Sequence, residues 1–268
     1  LPEAPFIYHL TGRLAAEPWR PLAQEHMKHF TEQGYRLFGC ETSLSRLWTD
    51  DGVDISSVQR QIRAIRQVRD DAAVMLRLVV DAPAEWVRSH PDAKVGYTLT
   101  PSDLIPEAIR HKPGQWNHIS YASEQWKKDA GDRLRQMLDQ LGRSEEGGAV
   151  FALHICGGDW HEGFYPGHEF EPDNGPAMTQ YFRDFLHKRY GSDQALQKAW
   201  DNPGVTLQKA TVPGTDLRFS STERMFRDPQ RERQVIDYYQ CHQELVAETP
   251  LYFCRIARNA WPRPVLIG

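Results

Sequence analysis

The apolar run AVFALHI, residues 149–155, passes directly into the polar, glycine-rich stretch CGGDWHEGFYPGH, residues 156–168. The first segment has the length and composition of a buried strand. The second presents two carboxylates, two histidines and large aromatic side chains among four glycines. A buried strand that ends in such a loop is typical of a site built at the carboxyl end of a parallel sheet. The rest of the chain therefore has to show whether a parallel sheet is present.

Short apolar runs alternate with helical patterns along the whole chain, without a low-complexity linker or an internal repeat. The predicted strands are residues 5–13, 35–41, 72–80 and 149–155, with the final PVLIG as the start of a fifth. The predicted helices are residues 21–33, 54–68, 123–141, 179–190, 192–200 and 231–260, the last with Pro250 as an expected kink. We predict one α/β domain over residues 1–268.

The segment after Asp54 shows the helical pattern most clearly. Its apolar positions recur at spacings of three and four: Ile55, Val58, Ile62, Ile65 and Val68. Such spacing gives one apolar face that must lie on a sheet, and Asp54 is placed to cap the helix. A repeated strand–helix–strand order predicts a parallel sheet with right-handed crossovers.

Two architectures fit that order, an open doubly wound sheet and a (β/α) barrel. A nucleotide-binding doubly wound sheet usually carries a glycine fingerprint after its first strand, but TGRLAAEPWRP has one glycine and two prolines. The loops after the second, third and fourth strands are instead long, aromatic and acidic, as in barrel enzymes. We therefore predict an α/β fold of the (β/α)8 TIM-barrel type.

Composition excludes several classes of protein. The chain has 268 residues, a net charge of −4 and no long basic run, so a nucleic-acid partner is not expected. Its apolar stretches are far shorter than a membrane span. The four cysteines form no CxxC pair and are expected to be free, buried thiols. The chain begins at Leu1 without a signal segment, which suggests trimming and leaves the compartment undetermined.

Glu162 is the candidate catalytic residue. It lies among aromatic side chains that can partly desolvate a carboxyl group, raise its pKa and make it a proton donor. Aromatic rings together with carboxylates also suit a carbohydrate, whose apolar ring face stacks while its hydroxyls donate hydrogen bonds. The predicted substrate-binding residues are Tyr8, Glu41, Arg77, Asp81, Trp86, Asp159, Trp160 and Tyr165. No cofactor or metal is expected.

Three of these residues lie in a predicted strand or directly after one. Glu41 ends the second predicted strand and Asp81 follows the third, so both can face the mouth of a barrel. Both are assigned to substrate hydroxyls or to ion pairs. Arg77 lies inside an otherwise apolar strand and needs a carboxylate partner, so it either orients a site acid or forms a structural ion pair.

Five segments in order carry a family resemblance: PFIYHLTGR with EQGYRLFGCET, DGVDISSVQRQIRAIRQVRDDAAVMLRLVVDAPAEWVRSHPD, ISYASEQWKKDAGDRLRQML, FALHICGGDWHEGF, and YFRDFLHKRYGSDQALQKAW. The sequence resembles clan A glycoside hydrolases, closest to the family 42 β-galactosidase-like enzymes. The resemblance implies a (β/α)8 barrel, retaining hydrolysis of a β-linked sugar such as a β-galactoside, and Glu162 as the acid/base. His161 stands where many clan members have Asn.

The resemblance also implies a nucleophile glutamate after a seventh strand. Because only five strands are counted by Gly268, we expect a C-terminally incomplete barrel, with the nucleophile on further residues or a second copy completing the sheet.

Two other functions also fit these residues. A metal-dependent hydrolase would use the cluster His154, His161 and His168 with Glu162, although no HExxH motif occurs. A non-catalytic carbohydrate-binding barrel would keep the aromatic platform and bind sugar without turnover.

Overall fold

The structure is a computed structural model that describes residues 7–10, 19–99, 118–157, 170–171, 173–221 and 226–268. Side chains are described for all of these except residues 7–10, 19, 98–99 and 170–171. Residues 158–169 lie outside the described residues.

The strands of the described chain are β1 (Ile7–Leu10), β2 (Leu37–Ser43), β3 (Trp48–Thr49), β4 (Gly52–Val53), β5 (Ala73–Val79), β6 (Thr98–Leu99), β7 (Val150–Cys156), β8 (Phe170–Glu171) and β9 (Leu266–Ile267). Five of them form one parallel sheet in the order β1-β2-β5-β7-β9. The predicted α/β class with a parallel sheet is confirmed, and β9 confirms the fifth strand expected from PVLIG. The pairs β3–β4 and β6–β8 are short antiparallel ladders.

The helices of the described chain are α1 (Trp19–Glu32), α2 (Leu44–Leu47), α3 (Ser56–Val68), α4 (Ala84–Ser89), α5 (Glu124–Arg143), α6 (Pro176–Tyr190), α7 (Asp193–Trp200), α8 (Thr215–Phe219) and α9 (Arg233–Ala260). The helix α3 follows the predicted pattern: Val58, Ile62 and Ile65 are fully buried. The Asp54 carboxylate accepts a hydrogen bond from the Ser56 N–H at 2.8 Å, but the N-cap position is Ile55, so the expected cap by Asp54 is wrong by one residue. The helix α9 continues through Pro250. No described helix combines the length and apolar content needed to cross a membrane.

The residues cluster into two compact units. The first comprises Leu1–Pro83, Lys128–Gly163 and Pro250–Gly268 and contains the parallel sheet. Alternate side chains of its strands, among them Phe38, Cys40, Val74, Leu76 and Leu153, are at most 1% exposed. The helix α3 packs against β2, and α1 packs against α3. Because side chains alternate along a strand, the residues between these buried ones face the opposite side of the sheet.

The second unit comprises Ala84–Lys127 and Phe164–Thr249. Its core contains Trp126, Phe182 and Tyr238, each at most 1% exposed. The buried Asp173 carboxylate accepts hydrogen bonds from the N–H groups of Gly96 at 2.9 Å and Gly175 at 2.8 Å. Those three residues therefore join two loops of this unit through one acid.

Candidate functional site

Three polar residues form a row across adjacent strands of the first unit. Glu41 of β2 lies in register with Arg77 of β5, and Arg77 lies in register with His154 of β7. Registered residues of parallel strands project from the same face of the sheet. All three are half-buried, on the face opposite the apolar side chains that α3 helps to cover. The row lies near the carboxyl ends of the strands, where barrel enzymes build their sites.

Glu41 and Arg77 form an ion pair within this row. Arg77 Nη1 lies 3.6 Å from Glu41 Oε2, and the two side chains are 22% and 19% exposed. Arg77 Nε is buried and makes no hydrogen bond to any described residue. Arg77 therefore does hold a carboxylate, as its position in an apolar strand predicted, and it keeps a donor for another group.

Cys156 lies two residues nearer the carboxyl end of β7 than His154, in register with Val79 of β5. Its thiol donates a hydrogen bond to the Leu78 carbonyl oxygen at 3.4 Å. Burial raises the pKa of the Cys156 thiol, although the neighbouring Arg77 guanidinium acts in the opposite direction. Cys156 is thus a protonated, weakly nucleophilic thiol at neutral pH. All four cysteines of the chain are free.

Asp81 joins the ends of two strands. Its carboxylate accepts hydrogen bonds from the Ser45 N–H at 2.7 Å and the Ser45 hydroxyl at 2.6 Å. Burial raises the pKa of Asp81, while these two bonds act to lower it. The carboxylate therefore holds the segment after β2 against the end of β5. Sequence reasoning did not identify Ser45, although the placement of a serine and an aspartate after neighbouring strands was a usable signal.

Trp86 lies in α4, in the second unit. Its ring stacks on His90 with the centroids 4.0 Å apart and the planes 13° apart. The His90 Nδ1–H donates to the Trp86 carbonyl oxygen at 2.8 Å. The indole is half-buried, so its role as a sugar platform stays a prediction.

The remaining predicted site residues are not among the described side chains. Glu162, Asp159, Trp160 and Tyr165 belong to residues 158–169, and Tyr8 lies in β1, whose backbone alone is described. The strand β7 ends at Cys156, one residue after the predicted strand end, and Glu162 follows six residues later in the sequence. The assignments of these five residues stay predictions.

The metal hypothesis rested on His154, His161 and His168. His154 lies in the polar row of the sheet, whereas His161 and His168 lie outside the described residues. Among the side chains that are described, no three His, Cys, Asp or Glu converge as metal ligands.

Comparison with solved structures shows the fold. The chain matches β-galactosidases from the psychrophilic Marinomonas ef1 (15% identity, TM-score 0.65), the haloarchaeon Halorubrum lacusprofundi (14%, 0.68) and Bacillus circulans sp. alkalophilus (14%, 0.66). Each match covers 97% of this chain and 36% of the β-galactosidase. No protein-family model and no curated protein sequence matches. The fold is therefore of the TIM-barrel type seen in these enzymes, and the chain spans about a third of their length.

Proposed function

We propose that this chain is part of a glycoside hydrolase that acts on a β-linked sugar by a retaining mechanism, with Glu162 as the acid/base. The observation that carries the proposal is the fold shared with β-galactosidases over 97% of the chain. A further support is that β7 ends immediately before the loop that bears Glu162. Active sites of barrel enzymes are built from such loops.

In the proposed reaction, Glu162 protonates the glycosidic oxygen while a second carboxylate attacks the anomeric carbon and forms a glycosyl-enzyme. Glu162 then removes a proton from the water that releases the sugar. We propose that Glu41 and Arg77 bind sugar hydroxyls on the floor of the site, since their ion pair fixes both side chains. Trp86, Trp160 and Tyr165 are proposed to stack on the sugar ring.

The proposal is tested in the full-length protein with chromogenic glycosides, galactosides first. Glu162→Gln should lower turnover of substrates with poor leaving groups by ~10²-fold or more, and substrates with acidic leaving groups should lose less in the first step. Glu145→Gln, which changes an exposed glutamate before β7, is the matched control and should leave turnover unchanged.

Equal, small losses of Glu162→Gln on both substrate types would remove Glu162 from the proton-donor role. Sugar binding without any turnover would instead favour a carbohydrate-binding protein. Loss of activity with chelation and its return with a divalent metal would favour the metal-dependent hydrolase.

A further inference from the structure

The second unit contains a polar cleft that the proposed hydrolysis does not use. Its volume is about 890 Å³, within the range that accommodates a mono- or disaccharide. Its walls come from the ends of α6 and α7 and from the segment that leads into α9. The side chains that carry the argument are Tyr190, Lys198, Trp200, Asp201, Arg231 and Arg233.

The buried carboxylate of Asp237 holds the side chains that line one side of this cleft. Asp237 of α9 has no exposed surface. Its Oδ2 accepts hydrogen bonds from the Tyr190 hydroxyl at 2.6 Å and from Trp200 Nε1 at 2.8 Å. Its Oδ1 lies 3.0 Å from Arg233 Nε and 3.4 Å from Arg189 Nε. Two aromatic rings and one guanidinium of the cleft are thus preorganised by the same acid.

The cationic side chains of the cleft have hydrogen-bond donors that are available to a ligand. Arg233 uses Nε on Asp237 and on the Tyr190 hydroxyl, and its two terminal nitrogens carry no hydrogen bond within the described residues. The exposed Lys198 ammonium has no carboxylate partner in the part of the chain that the structure describes. Arg231 is 76% exposed, with Asp228 at 3.7 Å. These groups can therefore bind an anion without first breaking a strong ion pair.

The charge balance also favours an anion. The cations at and behind the cleft are Arg189, Lys198, Arg231 and Arg233, and the carboxylates are Asp201, Asp228 and Asp237. The nearby Arg227 and Glu232 neutralise each other at 2.9 Å. One positive charge remains over, next to Tyr190 and Trp200, whose rings are only half-buried.

Aromatic rings beside guanidinium groups suit a particular ligand chemistry. The ring face of a sugar packs on Trp or Tyr, and a planar guanidinium binds a carboxylate or sulfate through paired hydrogen bonds. We propose that this cleft is a second carbohydrate-binding site and that its ligand is an acidic sugar, a pyranose that carries a carboxylate or a sulfate ester. The site does not depend on Glu162 or on hydrolysis.

The test measures binding by titration calorimetry in the full-length protein. The probes are a sulfated galactan oligosaccharide, an oligogalacturonide, a neutral galactan oligosaccharide and inorganic sulfate. At least one acidic oligosaccharide should bind about 10-fold more tightly than the neutral one, with affinity that falls as salt is added. The two acidic probes show whether sulfate or carboxylate is preferred.

Lys198→Ala and Arg231→Ala should each weaken binding of that acidic oligosaccharide about 5- to 10-fold. Both side chains are exposed, so the unfolding midpoint should not change. Lys209→Ala removes the same charge from an exposed position outside the cleft and should retain full affinity. Glu162→Gln should also retain it, which separates this site from the proposed catalytic one.

Four results would overturn the proposal. These are no binding of either acidic probe, equal affinity for the neutral oligosaccharide, equal affinity for inorganic sulfate, and an equal loss in Lys209→Ala. The third result would mean that the cleft holds an anion without recognising a sugar.

Discussion

Carboxylates form ion pairs with arginine side chains in two regions of this molecule, and the two arrangements differ. At the strand ends, Glu41 and Arg77 lie 3.6 Å apart with about a fifth of each side chain exposed. In the second unit, Asp237 is fully buried and has four partners, two of them arginines. The first pair can still exchange its contacts with a ligand. The second carboxylate is enclosed: its Oδ2 accepts two hydrogen bonds, and its Oδ1 faces the two arginines without a geometrically good hydrogen bond. We therefore expect it to position other side chains.

Removing one charge from each region should therefore lower the free energy of unfolding by different amounts. A buried charge that loses its partner is left in a medium of low polarity, whereas water reaches a charge that is about a fifth exposed. The following experiments compare the two regions, from the largest expected effect to the smallest.

Asp237→Asn should lower the free energy of unfolding by about 3–5 kcal/mol, because two guanidinium groups lose their shared counter-charge. The measurement is the urea-unfolding midpoint and slope. Asp201→Asn is the matched control, since Asp201 is exposed and its φ of 48° suits asparagine. It should cost no more than about 0.5 kcal/mol. A loss below about 1 kcal/mol for Asp237→Asn would show that water screens this network.

Acid should weaken the second unit through His242 of the same helix. Burial, followed by the nearby Arg218 charge, lowers the pKa of His242 to about 4. The unfolded chain binds this proton near pH 6.5, so the stabilisation is complete above that pH and is lost as the pH falls toward 4. Stability should fall by about 2–3 kcal/mol across that window.

The pH prediction is measured by urea unfolding at several pH values. His242→Gln removes the titrating group, so its stability should change less between pH 6.5 and 4.5 than that of the unmodified chain. An equal decline in both proteins would assign the acid effect to other groups.

Arg77→Met should cost about 1–2 kcal/mol, less than Asp237→Asn, because the Glu41 left behind is still reached by water. Arg60→Met changes an exposed arginine of α3 and should be near neutral. Thermal and urea unfolding of the two variants give the comparison. An Arg77→Met loss as large as that of Asp237→Asn would mean that the strand-end pair is as isolated from solvent as the buried network.

Ser45→Ala should have the smallest effect, about 1 kcal/mol, because it removes one of two hydrogen bonds to Asp81 and leaves the Ser45 N–H in place. Ser57→Ala in α3 is the control and should be neutral or slightly stabilising, since alanine is the better helix former. Hydrogen exchange of the Ser45 amide gives a local readout. Unchanged exchange in Ser45→Ala would show that the hydroxyl does not hold this segment.

The sequence predicted β2, β5 and β7 because each buries an apolar face, and burial leaves a pattern in neighbouring residues. The strand β9 was predicted from its apolar composition alone, since Leu266 is 68% exposed. The sequence did not predict β3, β4, β6 and β8, since ladders of two residues are too short to show a period. It also did not predict α2, which has only four residues.

Side-chain partners were harder to predict than strands. Arg77 needed a carboxylate, and Glu41 was one of the acids available, so that pair was within reach of sequence reasoning. The Asp237 network was not, because Tyr190 and Trp200 are 47 and 37 residues away along the chain. Trp200 is half-buried and donates a hydrogen bond from its indole nitrogen to the Asp237 carboxylate.

The junction at Asp173 limits how the loops of this protein can be exchanged. A Cβ atom added at Gly96 would collide with the backbone of Gly175, and one added at Gly175 would collide with the Lys94 carbonyl oxygen. A loop grafted from another barrel must therefore bring glycine to both positions, whatever else it carries. Changes of loop sequence in the second unit are therefore limited mainly by these two glycine positions, and less by the choice of side chains elsewhere in the loops.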